Sequence, residues 1–592
     1  MNIPRNEYPR PQFARPDWLC LNGTWEFEID AGDSGRPRGL LERPLAGEIV
    51  VPFCPESELS GVGNTDFLNA VWYRRRVDIP AEWAGRTVLL HFQAADYDTT
   101  VWVNRREVGR HRGGWTPFSC ELADVAAPGE TCEVVVRCRD LKGKPKPGGK
   151  QSLRYENHGC HYTRTTGIWQ TVWMEPVPPS RLERPRILPD GAAGAFRIDA
   201  PVVGPTAGLG IRVVVSDDAG EVTRAQTPAD ADFTPHLDLA IPEDRRRLWT
   251  PDDPFLYDLR LELLAADGGV IDAAASYAGL RSVTVDGNAV KLNGRALFQR
   301  LVLDQGYYPD GILTAPSDEA LRRDIELSLA MGFNGARLHQ KLFEERFLYH
   351  ADRLGYLVWG EFGDWGLGVA RPPTLVAQWL EAVKRDASHP CVVGWCPLNE
   401  THDRRGEDEI TELDDLTRAL VLATKAADPT RPVLDASGYC HRVAAADIYD
   451  SHDYEQDPDA FVRRHAAAAD ARPFVNDSDT IHNLPYRGQP YFVSEFGGIW
   501  WNEELARAAA EGKDRGDSWG YGDRPADIEA FYRRFEGLCA ALLDNPGMFG
   551  YCYTQLTDVF QEQNGLYTFD RQPKFDVARL RAIQQRPAAI EA

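Results

Sequence analysis

The chain changes rhythm near residue 286, and that change limits its fold more than any other feature. Beyond it, short apolar runs alternate with longer amphipathic segments: Ala296–Leu303 then Glu319–Met331, Gly335–Leu338 then Phe343–Leu354, Leu357–Trp359 then Thr374–Ala387, Val392–Leu398 then Thr411–Ala427. Val433–Asp435, Ile448–Asp453, Tyr491–Phe496 and Met548–Thr554 follow at longer intervals. Strands separated by helices need crossover connections, and crossovers make parallel sheet. Eight strand candidates in about 300 residues is the count of a (β/α)8 TIM barrel.

The part before residue 286 follows a different pattern. Thr24–Ile29, Val71–Ile79, Thr87–Gln93, Thr99–Val103, Cys132–Cys138 and Trp169–Glu175 are short β-branched or aromatic runs, each closed by Gly, Pro, Asn or Asp. Asn104–Arg105 reads as the tight turn of a hairpin. This spacing predicts a sandwich or jelly roll over residues 1–180. A second set, Gly210–Val215, His236–Ala240, Asp258–Leu264 and Ile271–Tyr277, predicts an immunoglobulin-like sandwich over residues 181–285. The expected architecture is therefore multidomain, β then β then α/β, with the barrel over residues 286–592. Lys142–Thr166 interrupts the first unit, and a stretch of that length without strand pattern is functional or disordered. It carries Lys142, Lys144, Lys146 and Lys150, and we expect it to reach the barrel mouth.

Composition excludes several classes of partner. Lys and Arg number 66 against 89 Asp and Glu, a formal charge of −23, which argues against nucleic acid and anionic membrane. No apolar run approaches the roughly 20 residues of a membrane span, and the first residues hold no apolar signal core, so a cytoplasmic protein is expected. Eleven cysteines without a CxxC pair read as buried thiols rather than disulfides or a zinc site. The 16 Trp and 21 Tyr suit the stacking surfaces of a carbohydrate cleft. A Gly516–Ser518 GDS triplet lacks the nucleophile-elbow pattern, so it carries no esterase reading.

In a barrel the reacting groups project from the C-terminal ends of strands. VVGWCPLNE ends in Asn399–Glu400 and PYFVSEFGG carries Glu495, ninety-five residues later. Two carboxylates on facing strands are what glycoside hydrolysis requires. LNGRALFQRLVLDQGYYPDG, GFNGARLHQKLFEERFLYHADRLGYLVWGE, VVGWCPLNE, PYFVSEFGG and YTQLTDVFQEQNGLYTFDRQPKF resemble glycoside hydrolase family 2. LNGTWEF, VWYRRRVDIP, VWVNRREVG and YTRTTGIWQTVWME resemble that family's sugar-binding jelly roll.

The resemblance implies a retaining exo-glycosidase acting on a terminal, β-linked, neutral sugar, β-galactosidase-like, without cofactor or required metal. Glu495 matches the nucleophile and Glu400 the acid/base, whose pKa should be raised by burial and by Glu495. Substrate contacts are expected from Asn399, Arg337, Asp304, Gln305, His452 and Tyr454, and a sugar-stacking wall from Tyr553, Trp359, Trp500 and Trp519. The stretch Glu562–Gly565 lacks the lysine with which the family's β-glucuronidases hold a sugar carboxylate, so that substrate is disfavoured. A transglycosylase using the same site and a non-catalytic carbohydrate-binding protein are the alternatives. The partner is a glycoside or oligosaccharide, and a homo-oligomer stays open.

Overall fold

The computed structural model describes residues 3–365, 372–401, 410–476, 483–503 and 518–591. Its N-terminal portion is built of antiparallel β-structure. A six-stranded sheet contains Gly23–Ile29, Ala70–Asp78, Thr131–Arg139 and Asp98–Val103, and a four-stranded sheet contains Thr87–Phe92 and Val172–Val177. Alternate residues of both sheets, among them Trp25, Phe27, Tyr73, Leu90, Val101 and Val134, point inward to one apolar core. Asn104 and Arg105 have φ of 48° and 67° and turn Asp98–Val103 back into Arg106–Arg112, the left-handed pair that a two-residue hairpin loop demands. A further antiparallel sheet, Gly220–Pro228, Gly210–Asp217, Tyr257–Leu264 and Val270–Ala278, faces a three-stranded one across its own core of Ile211, Val213, Leu237, Leu239 and Leu261. All eleven cysteines are free thiols.

The C-terminal portion is a curled parallel sheet with helices outside. Its seven strands run in the order Val392–Cys396, Leu357–Glu361, Gly335–Leu338, Gln299–Asp304, Met548–Thr554, Tyr491–Gly497, Tyr449–Asp453. The fifth strand of the expected barrel is the exception. Val433 bridges Trp395 and Ala436–Ser437 pairs with Leu398–Asn399, both parallel, but no ladder joins this segment to Tyr449–Asp453. Side chains span the gap instead: Ser437 Oγ donates to Asp450 Oδ2 at 2.8 Å, and the Gly438 amide donates to both Asp450 oxygens at 3.2 Å. Pro432 and the polar run Asp435–Ser437 deny this segment the apolar pattern of its neighbours, so the ring is a seven-stranded, TIM-like half-barrel with a side-chain closure.

Helices start where local chemistry caps them. Ser317 accepts from the Ala320 amide, and Thr411 forms a reciprocal capping box with Asp414. The two portions share packing. Trp115, Tyr162 and Trp169, from the N-terminal β-structure, lie within the barrel's own apolar core, each at most 2% exposed. Burying such rings stabilises by roughly 2–3 kcal/mol apiece. No described helix is long and apolar enough to cross a membrane.

Candidate active site

Glu495 lies near the C-terminal end of Tyr491–Gly497 and is 4% exposed. Its oxygens receive Arg337 Nη1 at 3.1 Å and the Tyr454 hydroxyl at 2.6 Å. Arg337, fully buried at the end of Gly335–Leu338, is held by every arm. Nε donates to Glu361 Oε1 at 2.6 Å, Nη1 to the Ser494 carbonyl at 2.6 Å, and Nη2 to Asn399 Oδ1 at 3.2 Å. The Tyr454 ring stacks face to face on Tyr521 at 3.4 Å. Glu495 therefore has its geometry fixed by donors that are themselves fixed.

Glu400 follows the short strand Leu398–Asn399 with φ of 47°, a left-handed conformation that costs a non-glycine residue about 1–2 kcal/mol. Its amide bonds the Ser437 carbonyl at 2.9 Å, which holds that conformation. Trp365 Nε1 donates to Oε2 at 3.0 Å, and His452 Nδ1 meets Oε1 at 2.6 Å. His452 Nδ1 is also 3.4 Å from Glu495 Oε2, and one ligand-capable atom from each of Glu400, His452 and Glu495 lies within 4.8 Å of the other two. Such an oxygen–nitrogen–oxygen set is also what a divalent cation would take.

The sequence led us to expect a raised Glu400 pKa, and the structure corrects this. Burial pushes the carboxyl up, but the His452 contact, the Trp365 donor and the nearby Lys150 charge together bring it below its ordinary value. Burial likewise pushes His452 down, while Glu495 and Glu400 raise it, and the net shift is upward. A nitrogen and an oxygen 2.6 Å apart need a proton between them. Glu400 and His452 hold that proton as a unit. Ser437 Oγ, which donates to Asp450, lies 2.9 Å from His452 Nε2 and fixes the other side of the ring.

Several expected substrate contacts sit elsewhere. Along Met548–Thr554 side chains alternate, so Cys552 and Thr554 turn inward while Tyr553 turns outward, its ring against Phe496 and helical Phe535. Tyr553 is thus no pocket wall. Trp359 is completely buried, its Nε1 bound to Gln299 Oε1 at 2.7 Å and its ring stacked on Phe492, so it fills the sheet interior. Asp304 accepts from the Gly306 amide, and burial with neighbouring Asp324 pushes its pKa up to about 7; it does not meet the glutamate pair. Gln305 is buried with both amide atoms unpartnered. Trp500 donates to Ser518 Oγ, and Trp519 to the Gly159 carbonyl at 3.0 Å; both stand at the rim. Gly516 and Asp517 of the GDS triplet lie outside the described residues.

Three residues of the site, Glu361, Trp365 and Tyr521, had escaped the sequence reading. Glu361 binds Arg337 and His339, at 2.6 and 3.1 Å. The strand expected to stop at Trp359 runs two residues further, and the correct boundary would have exposed Glu361 as a strand-end acid. Trp365 and Tyr521 lie on loops without periodic signal. Lys150, by contrast, was named in the sequence as one of four lysines on a loop expected at the mouth. The expected reach of Lys142–Thr166 is met: the Gly149 amide donates to the Gly363 carbonyl at 2.8 Å, and Gln561 Nε2 donates to the Gly159 carbonyl at 2.6 Å. Of its four lysines, Lys142 stacks on Phe67 and Tyr155, Lys144 is exposed, and Lys146 pairs with Asp96 and Asp140. Lys150 alone of the four enters the mouth, with Nζ 5.6 Å from the Trp365 ring centre.

Comparison with known proteins agrees with the fold. The profile described as "Glycosyl hydrolases family 2, sugar binding domain" matches residues 63–172, and "Glycosyl hydrolases family 2" matches residues 183–281. A β-glucuronidase of Paenibacillus borealis is 27% identical over 70% of this chain and 72% of its own. A β-galactosidase of Thermoanaerobacter pseudethanolicus is 24% identical over 68% of this chain and 53% of its own. Among solved structures, the β-glucuronidase from Ruminococcus gnavus in complex with D-glucuronic acid superimposes with a TM-score of 0.75 at 19% identity, covering 99% of this chain and 100% of that one.

Proposed function

The chain belongs to glycoside hydrolase family 2 and is a glycosidase, and from that premise we propose that it cleaves a terminal β-linked sugar with retention, by double displacement. In the first step a Glu495 oxygen bonds to the anomeric carbon as the glycosidic C–O bond breaks, and the leaving oxygen takes the proton held between Glu400 and His452. In the second, the Glu400 unit removes a proton from water, the water oxygen bonds to the anomeric carbon, and Glu495 leaves.

The observation that carries this reading is the carboxylate spacing. An oxygen of Glu400 lies within 4.8 Å of one of Glu495, in keeping with the roughly 5 Å of retaining enzymes and shorter than the roughly 6.5–9.5 Å spacing of inverting ones. Arg337 and Tyr454 support the nucleophile role of Glu495 by holding its carboxylate aimed. The Asn399 amide nitrogen is left to bond the sugar 2-hydroxyl, because its oxygen already serves Arg337. The sugar we propose is neutral, as for a β-galactosidase-like enzyme. Buried Glu562, beside the mouth, disfavours a uronate.

A 2-fluoro-β-glycoside with a fast leaving group tests the assignment. It should arrest the enzyme with one sugar covalently attached to the peptide containing Glu495, as read by mass spectrometry. Labelling of a different carboxylate, or turnover to the opposite anomer by NMR, overturns it.

A further inference from the structure

A buried ammonium normally has acceptors, and this molecule shows the rule at other lysines. Lys341, 3% exposed, donates to the Gly306 and Leu313 carbonyls at 2.5 and 2.8 Å, and Lys574 pairs with Asp558 at 2.7 Å. Lys150 differs. Only 8% of the residue is exposed, but its Nζ stays open to the mouth, and among the described residues it has no hydrogen-bond acceptor and no carboxylate oxygen within 4.0 Å.

The omission is built in, because the backbone that carries Lys150 is pinned. Trp115 Nε1 holds the Pro147 carbonyl at 3.0 Å, the Tyr162 amide holds that of Lys150 at 2.9 Å, and Gly149 is tied to Gly363. Gly149 has φ of 54° and presses so closely on the Gln340 carbonyl that a Cβ would lie 2.4 Å from that oxygen. The ammonium is delivered to a fixed place and left short of a partner.

The groups around it say what fits. Burial opposes the Lys150 charge; Glu562 favours it most among the neighbours, followed by Cys160, Glu495 and Glu400, and the net shift is upward. Glu562 is 1% exposed and held from behind by the Tyr162 hydroxyl and by Asn564 Nδ2. Lys150 Nζ lies 6.0 Å from the centre of the Tyr162 ring, whose hydroxyl bonds Glu562, so the cation and this anion flank one ring without forming a salt bridge. A hydroxyl oxygen accepts from one side and donates to the other, so it fills such a gap. A sugar carboxylate would stand against Glu562.

We propose that Lys150 and Glu562 form an ion pair held open across the glycone pocket, and that one hydroxyl of a neutral terminal sugar closes it. This makes Lys150 a specificity-determining residue supplied by the N-terminal β-structure. It rests on the glycosidase reading above.

The test measures kcat/KM for 4-nitrophenyl β-D-galactoside, β-D-glucoside, β-D-mannoside, α-L-arabinoside and β-D-glucuronide. The proteins are the wild type, Lys150→Met, Glu562→Gln and the double variant, with Glu495→Ala beside them and melting temperatures recorded. The wild type should favour a neutral glycoside over the glucuronide. Each single variant should lose about 10–100-fold on that glycoside, the range of hydrogen bonds to charged groups. The double variant should lose no more than the worse single, since both act on one hydroxyl. Glu562→Gln reads the same contact should Lys150→Met prove unstable. Preference for the glucuronide, lost in Lys150→Met, would mean that the ammonium binds a carboxylate and overturns the proposal. Additive losses, or a Lys150→Met enzyme within twofold of wild type, overturn it too. A wild type no more active than Glu495→Ala on every substrate removes the glycosidase reading itself, and the proposal with it.

Discussion

The strand ends of the half-barrel and the loop that leans over them treat charge in opposite ways. At the strand ends the ionisable groups of the site are satisfied before substrate arrives: Arg337 has four acceptors, Glu495 two donors, and Glu400 shares a proton with His452. On the loop, the Lys150 ammonium has no acceptor among the described residues and opens onto the mouth. Groups that do chemistry must not reorganise during the reaction, so they are tied down. A group that recognises substrate gains by being left unsatisfied, because the penalty is relieved only when the right partner binds. The cation proposed for recognition thus comes from a different portion of the chain than the groups proposed to react.

Substitutions can break or sharpen that division. The largest effect belongs to the strand ends. Glu495→Ala should reduce kcat by at least about 10⁴-fold with an unchanged melting temperature, since it removes the proposed nucleophile and not merely a contact. Azide should restore part of the rate and yield the inverted glycosyl azide, seen by NMR. Next is Tyr454→Phe, which deletes one fixed donor to Glu495 and should cost about 10²–10³ in kcat with little change in KM. Gly149→Ala acts from the loop side. It forces a Cβ against the Gln340 carbonyl at a positive φ, so the melting temperature should fall, and kcat/KM should drop about tenfold through a displaced Lys150. Were kcat/KM unchanged while stability fell, the loop would be only a brace.

The smallest change in rate, and the sharpest in pH, is expected of His452→Asn. The unit works with its proton on, so activity is lost as pH rises through the value at which that proton leaves. The His452 pKa is raised, which puts this basic limb above the ordinary histidine value of 6.5. Without the imidazole the proton rests on Glu400 alone, and the limb should move to lower pH, with less than about a tenfold loss at the optimum. A pH–rate profile of kcat/KM that does not move refutes the shared proton.

How much of this could be read from the residues depends on what each signal encodes. Periodicity located the β-rich first part, the parallel sheet and the two glutamates, because burial writes itself into alternation and catalysis into strand ends. It failed where side chains replace backbone pairing, as at Asp435–Ser437, and where one residue's parity decides between pocket and packing, as at Tyr553. Trp359 misled for a related reason: an aromatic two residues short of a strand end lies one layer down. Lys150 was flagged only as part of a basic loop. Its place depends on contacts with Gly363 and Gln340, some two hundred residues away in sequence, and no local pattern records those.

The clasp between loop and half-barrel is made from main-chain atoms of the loop: the amide of Gly149 and the carbonyl of Gly159, received by Gly363, Trp519 and Gln561. A fastening of that kind owes nothing to the Lys150 side chain, so exchanging that one residue should alter what meets the sugar while the loop stays seated.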